Sequence, residues 1–155
     1  MCLSRITKKL KEPKTMQFYK IMWRLRRKGK PNLYFFQFRD LCEPIEKGKV
    51  KHASVGDIEI DHDHWRSFVS RRKTYRAGFH GYTNLRRAAR RVRFDIRSRR
   101  WQFKKTARGN LFRVLVLCEG PVRTIGSQGD ARVTVADTMK ILREVPLTKL
   151  FPNKK

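Results

Sequence analysis

The chain has 155 residues, and its 39 Lys and Arg outnumber 13 Asp and Glu to give a formal net charge of +26. That length fits one domain with a core that needs neither metal nor disulfide, and three Trp, four Tyr and ten Phe exclude a disordered basic tail, because disordered chains lack the aromatics whose burial offsets chain entropy. So high a charge makes a free monomer repel itself, and an anionic partner relieves the repulsion and releases counterions.

Residues 1–15 form a basic arm with Lys8, Lys9, Lys11 and Lys14, broken at Pro13. Gln17 to Leu25 then alternates, with Tyr19, Ile21, Trp23 and Leu25 on one side and Lys20 and Arg24 on the other, the period of a half-buried strand. Arg26 to Asn32 is a turn with Gly29, Pro31 and Asn32 as breakers, and Leu33 to Phe38 is a second strand, so the two make a basic-tipped hairpin. Residues 40–56 read as loop, Asp57 to Ile60 as a short strand, and Tyr75 to Tyr82 as a tight segment or short strand. Thr83 or Asn84 caps a helix whose apolar stripe is Leu85, Ala88, Ala89 and Val92, and the helical pattern weakens after Arg93. Leu111 to Cys118 is the most apolar run and reads as a central strand; with Ile21 and Trp23, its Leu111, Val114, Leu115, Val116 and Leu117 are the expected core. Pro121 to Ile125 and Arg132 to Ala136 flank a turn at Gly126 to Asp130, and Met139 to Val145 reads as a last strand or a short helix, the alternation of Ile141, Arg143 and Val145 favouring a strand, ended by Pro146. The expected fold is α+β: a small, mostly antiparallel sheet with one arginine-rich helix in a single domain over 16–146, a basic N-terminal arm and a basic C-terminal tail over 147–155.

The strongest chemical signal is the middle of the chain. From Arg66 to Arg113 there are 17 basic residues and one acid, Asp95. Arginine offers a planar donor fork that grips phosphate or carboxylate, and a merely solvated face mixes charges of both signs. The expected polyanion contacts are Arg86, Arg87, Arg90, Arg91, Arg93, Arg97, Arg99, Arg100, Lys104 and Lys105, with secondary basic contacts at Arg26, Arg27, Lys28, Lys30, Arg71, Arg72 and Lys73. The anion is nucleic acid or the acidic protein surfaces of a large assembly, and phosphate contacts carry no sequence information to say which nucleic acid. Trp65, Tyr75, Phe79, Tyr82, Trp101 and Phe103, interleaved with these charges, serve as core residues first and base-stacking residues second.

Other chemistry is sparse. Asp61-His62-Asp63-His64 has two histidines on one strand face but no second paired ligand motif, so no metal and no cofactor is expected. No GxSxG, P-loop or HExxH occurs, and the expectation is a protein that is not an enzyme. Cys2, Cys42 and Cys118 are odd in number and widely spaced, which fits a reducing compartment. No apolar run approaches the roughly eighteen residues of a membrane span, and the start lacks a secretory signal, so the expected location is intracellular.

Met1-Cys2-Leu3-Ser4 and Tyr75-Arg76-Ala77-Gly78-Phe79-His80, the latter followed by a helix and a strand–Gly–strand ending in Met139-Lys140-Ile141, resemble small uncharacterised basic proteins of phages and large DNA viruses. The resemblance implies viral origin, and with it a minor structural component of a virion. The Gly-Phe-His segment is also faintly similar to ADP-ribosyltransferase-like folds, which would imply a catalytic Glu, for which Glu119 and Glu144 are the late candidates. The leading expectation is a non-enzymatic binding or assembly protein that contacts polyanions; the alternatives are a ribosome- or RNA-associated protein and an ADP-ribosyltransferase-like enzyme.

Overall fold

The computed structural model describes residues 3–36, 44–53, 57–62, 71–76, 78–97, 104–106, 109–146 and 148. In chain order the elements are β1 (Arg5–Leu25), β2 (Leu33–Phe35), β3 (Ile45–Glu46), β4 (Val50–His52), β5 (Asp57–His62), β6 (Arg71–Arg76), β7 (Phe79–Tyr82), α1 (Leu85–Arg97), β8 (Lys104–Thr106), β9 (Gly109–Gln128), β10 (Ala131–Ala136) and β11 (Thr138–Val145).

Two strands of unusual length organise the molecule. β1 and β9 pair antiparallel from Arg5↔Ser127 to Leu25↔Leu111. The outer edge of β9 changes partner part-way along: β11 pairs residues 115–119 and β10 pairs 122–128. β7 pairs β10 and also meets β1 at Tyr19↔Tyr82, so β1, β9, β10 and β7 form a closed ring of pairings. On the other side β1 carries β2 and β3, and β11 carries β4. The turn between β3 and β4 is tied down by the Gly48 N–H, which donates to the Ile141 carbonyl at 3.0 Å.

Both faces of the central ribbon are therefore covered, and each has a core. Ile21, Leu115 and Leu117 join Tyr82, Val133 and the helical Ala88 and Val92 on one side. Phe18, Met22, Val116 and Cys118 join Tyr34, Phe79, Met139 and Ile141 on the other. A strand buried on both faces needs apolar residues at successive positions, which is why the stretch around Leu115 reads as a continuous apolar run. The expected core is mostly found: Leu111, Leu115, Val116, Leu117 and Ile21 are buried, while Val114 and Trp23 are half-buried.

The expected small sheet in an α+β domain is overturned. The main sheet has nine strands, β5 and β6 make a second, two-stranded sheet, and α1 is the one helix element among the described residues. Three features hid this. The basic arm is the first half of β1, with exposed Arg5, Lys8, Lys9, Lys11 and Lys14; its ladder hydrogen bonds come from the backbone and are indifferent to side-chain charge. Pro13, which cannot donate to a ladder, lies in the irregularity between the pairs Lys9↔Thr124 and Lys14↔Val122. β3 and β4 have two and three residues, too short to show a period, and so the stretch from 40 to 56 reads as loop. Of the expected tail, residues 147 and 149–155 lie outside the described residues.

Candidate polyanion-binding surface

The arginine helix begins where its cap dictates. Asn84 Oδ1 accepts from the Arg86 N–H at 2.7 Å, satisfying one of the free N–H groups of the first turn. The helix runs past Arg93 to Arg97, whose charge suits the negative end of the helix dipole. Its buried stripe is Ala88, Val92 and Asp95, with Leu85 and Ala89 packed beside them. Asp95 continues the apolar spacing one turn further, and the site it reaches is internal: its side chain is fully buried.

Arg86, Arg90, Arg93 and Arg97 follow one another at spacings of four, three and four, so they share one face of the helix, opposite the buried stripe, and all four are exposed. At 1.5 Å per residue that row is about 16 Å long. Among the described residues, no acid pairs with Arg86, Arg90 or Arg97. Arg87 and Arg91 differ from these. Arg87 binds Asp130 of the β9–β10 turn. Arg91 Nε lies 3.2 Å from Asp95 Oδ1, and its guanidinium sits 5.4 Å from the centre of the Phe94 ring. Asp95 Oδ2 also meets Arg113 at 3.3 Å, and that buried guanidinium lies over the Trp23 ring. Arg87 and Arg91 are thus engaged by acids, Arg87 by one brought in from the distant turn at Asp130.

Between α1 and the β9–β10 turn lies a cleft of about 710 Å³. Arg87, Arg90, Arg91 and Phe94 line one side, residues 128–131 line the other, and Ile21 and Tyr82 contribute apolar surface. Phe94 is 53% exposed. Ile96, on the same helix, is also exposed. Burial raises the Tyr82 hydroxyl pKa above its ordinary value, so this wall of the cleft stays neutral.

Of the other expected contacts, Arg26, Lys28 and Lys30 are exposed on the β1–β2 hairpin tip, whereas Arg27 donates to the Pro31 carbonyl and pairs with Glu46. Lys104 and Lys105 lie on β8, opposite Leu111 and Asn110. Arg71, Arg72 and Lys73 lie on β6, where Arg72 stands opposite Asp61 and Arg71 opposite His62. Arg99 and Arg100, like Asp63, His64, Trp65, Trp101 and Phe103, fall outside the described residues. No group of three metal-ligating side chains occurs among the described residues, and no described helix is long and apolar enough to cross a membrane.

His80 and Glu144 are held in hydrogen-bond networks. His80 Nδ1 lies 3.1 Å from the Gly78 carbonyl, which can only accept, so the proton belongs on Nδ1. Nε2 then accepts from the Tyr75 hydroxyl at 2.9 Å, and the same hydroxyl accepts from the Leu3 N–H at 3.1 Å. Burial, helped by the Lys20 charge, lowers the His80 pKa to about 4 and keeps the ring neutral. Lys20 donates to the His80 carbonyl at 2.7 Å, and burial lowers its own pKa to about 8. Glu144 accepts from Arg24 at 2.7 Å and from the Tyr34 hydroxyl at 2.8 Å. No hydrogen bond or ion pair joins His80 to Glu119 or Glu144 among the described residues. The Cys118 thiol is buried, and its pKa is pushed up to about 12 by that burial. No family model matches the chain, and neither a curated protein nor a solved structure matches it.

Proposed function

We propose that the protein is a non-enzymatic binding or assembly module that grips a polyanion through the exposed arginine row of α1, with nucleic acid as the leading partner and a virion or ribonucleoprotein as its setting. The observation that carries the reading is the row itself. Arg86, Arg90, Arg93 and Arg97 share one exposed helix face, and like charges at these spacings oppose each other by a few tenths of a kcal/mol per pair. Among the described residues no acid pairs with Arg86, Arg90 or Arg97, so a partner that supplies negative charge stabilises this face.

The test is a salt titration of nucleic-acid binding. A protein making about 6–10 phosphate contacts loses roughly 10³–10⁵ in affinity between about 50 and 200 mM salt. Replacing Arg86, Arg90 and Arg93 together with Ala removes about three contacts and flattens the slope of log K against log salt by nearly three, with circular dichroism unchanged. If the partner is an acidic protein, the same triple change weakens that complex and nucleic acid does not compete. A triple variant that binds both kinds of partner like the wild type shows that the row is only a solvated face.

A further inference from the structure

We propose that the cleft between α1 and the β9–β10 turn holds an unpaired base of single-stranded nucleic acid against the Phe94 ring, while Arg87, Arg90 and Arg91 meet the adjoining phosphates. This deepens the polyanion reading and rests on it. A face that only gathered phosphates would need cations alone. Here the cations line a concavity with an aromatic ring 53% exposed in its wall. The volume of about 710 Å³ falls within the roughly 300–1,000 Å³ of small-ligand sites.

The geometry of the cations fits the same occupant. Arg91 Nε lies 3.2 Å from Asp95 Oδ1, an ion pair by distance, and its guanidinium lies 5.4 Å from the Phe94 ring centre, so ring and guanidinium already stand together as a platform before binding. Arg87 is held by Asp130, an acid 82% exposed on a turn. Exposed ion pairs of this kind are worth about 1 kcal/mol or less, so a phosphate can replace Asp130 as the partner of Arg87. Arg90 has no acid partner among the described residues. At the rim, Gly129 leaves open space where a side chain would stand. A duplex offers phosphates with its bases stacked inside, and an acidic protein surface offers carboxylates. Only a single strand presents phosphates and free aromatic faces in alternation, and base–aromatic stacking serves every base alike.

The test compares three probes by fluorescence anisotropy: labelled oligothymidylate, an abasic strand of equal length and charge, and a duplex of equal length. The wild type is expected to bind oligothymidylate about tenfold more tightly than the abasic strand, as one stacked base allows. Phe94→Leu should erase that ratio and leave the salt slope unchanged, and Phe94→Trp should keep it; the exposure of Phe94 makes either change compatible with folding. Equal wild-type affinity for the thymidylate and abasic strands, or an unaltered ratio in Phe94→Leu, overturns the stacking site and leaves polyanion binding standing. Thymidine monophosphate that displaces the strand at comparable concentration overturns the strand as occupant in favour of a free nucleotide. Failure to bind any of the three probes overturns the polyanion reading beneath it.

Discussion

Asp95 brings one of the chain's few negative charges into the interior, where it lies between Arg91 and Arg113, the latter's side chain only 7% exposed. Removing one member of a buried pair leaves an uncompensated charge, at a cost of about 3–5 kcal/mol, whereas replacing both by apolar residues is often neutral. Asp95→Ala should therefore be strongly destabilising in urea unfolding, and Asp95→Leu combined with Arg113→Met should recover most of the loss. A single variant as stable as the wild type would show that the pair contributes nothing. His80 gives a second residue-scale prediction. Its folded pKa, about 4, lies below the ordinary 6.5, so the unfolded chain binds a proton between these values that the folded chain does not. Stability from this group is complete above pH 6.5 and is lost as pH falls towards about 4, by roughly 3 kcal/mol. His80→Gln should lack that part of the acid sensitivity; equal pH dependence in the two proteins would refute the assignment.

At the scale of elements, the joint at Gly120 decides whether β9 can serve both β10 and β11. A Cβ there would stand 1.9 Å from the Thr138 carbonyl oxygen, which belongs to the backbone and cannot swing aside. Gly120→Ala should cost about 3 kcal/mol or more, since overpacking without room to relax exceeds the ordinary penalty. Gly129→Asn, at a turn with φ +58° and open space, should be nearly neutral, because Asn tolerates that region. Similar losses in the two variants would remove the special role of the joint. The β9–β10 turn was legible because glycine and polar residues interrupt two apolar runs, and the helix start because Asn84 precedes the apolar stripe. The first half of β1 was not, since its partner β9 lies more than a hundred residues away and its own side chains are largely charged. The inward turn of Asp95 was legible in principle, seven residues after Ala88 on the same stripe. The cleft was not, because the acid and the turn that complete it come from Gln128 to Ala131. Spacing within the helix alone marks Phe94 only as one more apolar residue.

At the scale of the whole molecule, one charge distribution acts in opposite directions on stability and on binding. A formal net charge of +26 on 155 residues sets the folded chain against itself, and an unfolded chain relieves that repulsion by expanding. Salt at about 0.1 M shortens the range of the repulsion to about 10 Å. Without a partner, the melting temperature should therefore rise with sodium chloride. Heparin, a polyanion without bases, should raise it at low salt, because a ligand that binds the folded state alone stabilises by mass action. That gain should shrink as salt rises, because the same ions weaken the complex. The two melting curves should then converge at high salt. The triple change of Arg86, Arg90 and Arg93 to Ala should make the free protein less salt-sensitive and reduce the heparin gain together, because the same three charges both repel and bind. A free protein whose melting temperature ignores salt while heparin still stabilises it would separate the two effects, and self-repulsion would no longer support the proposal of an anionic partner.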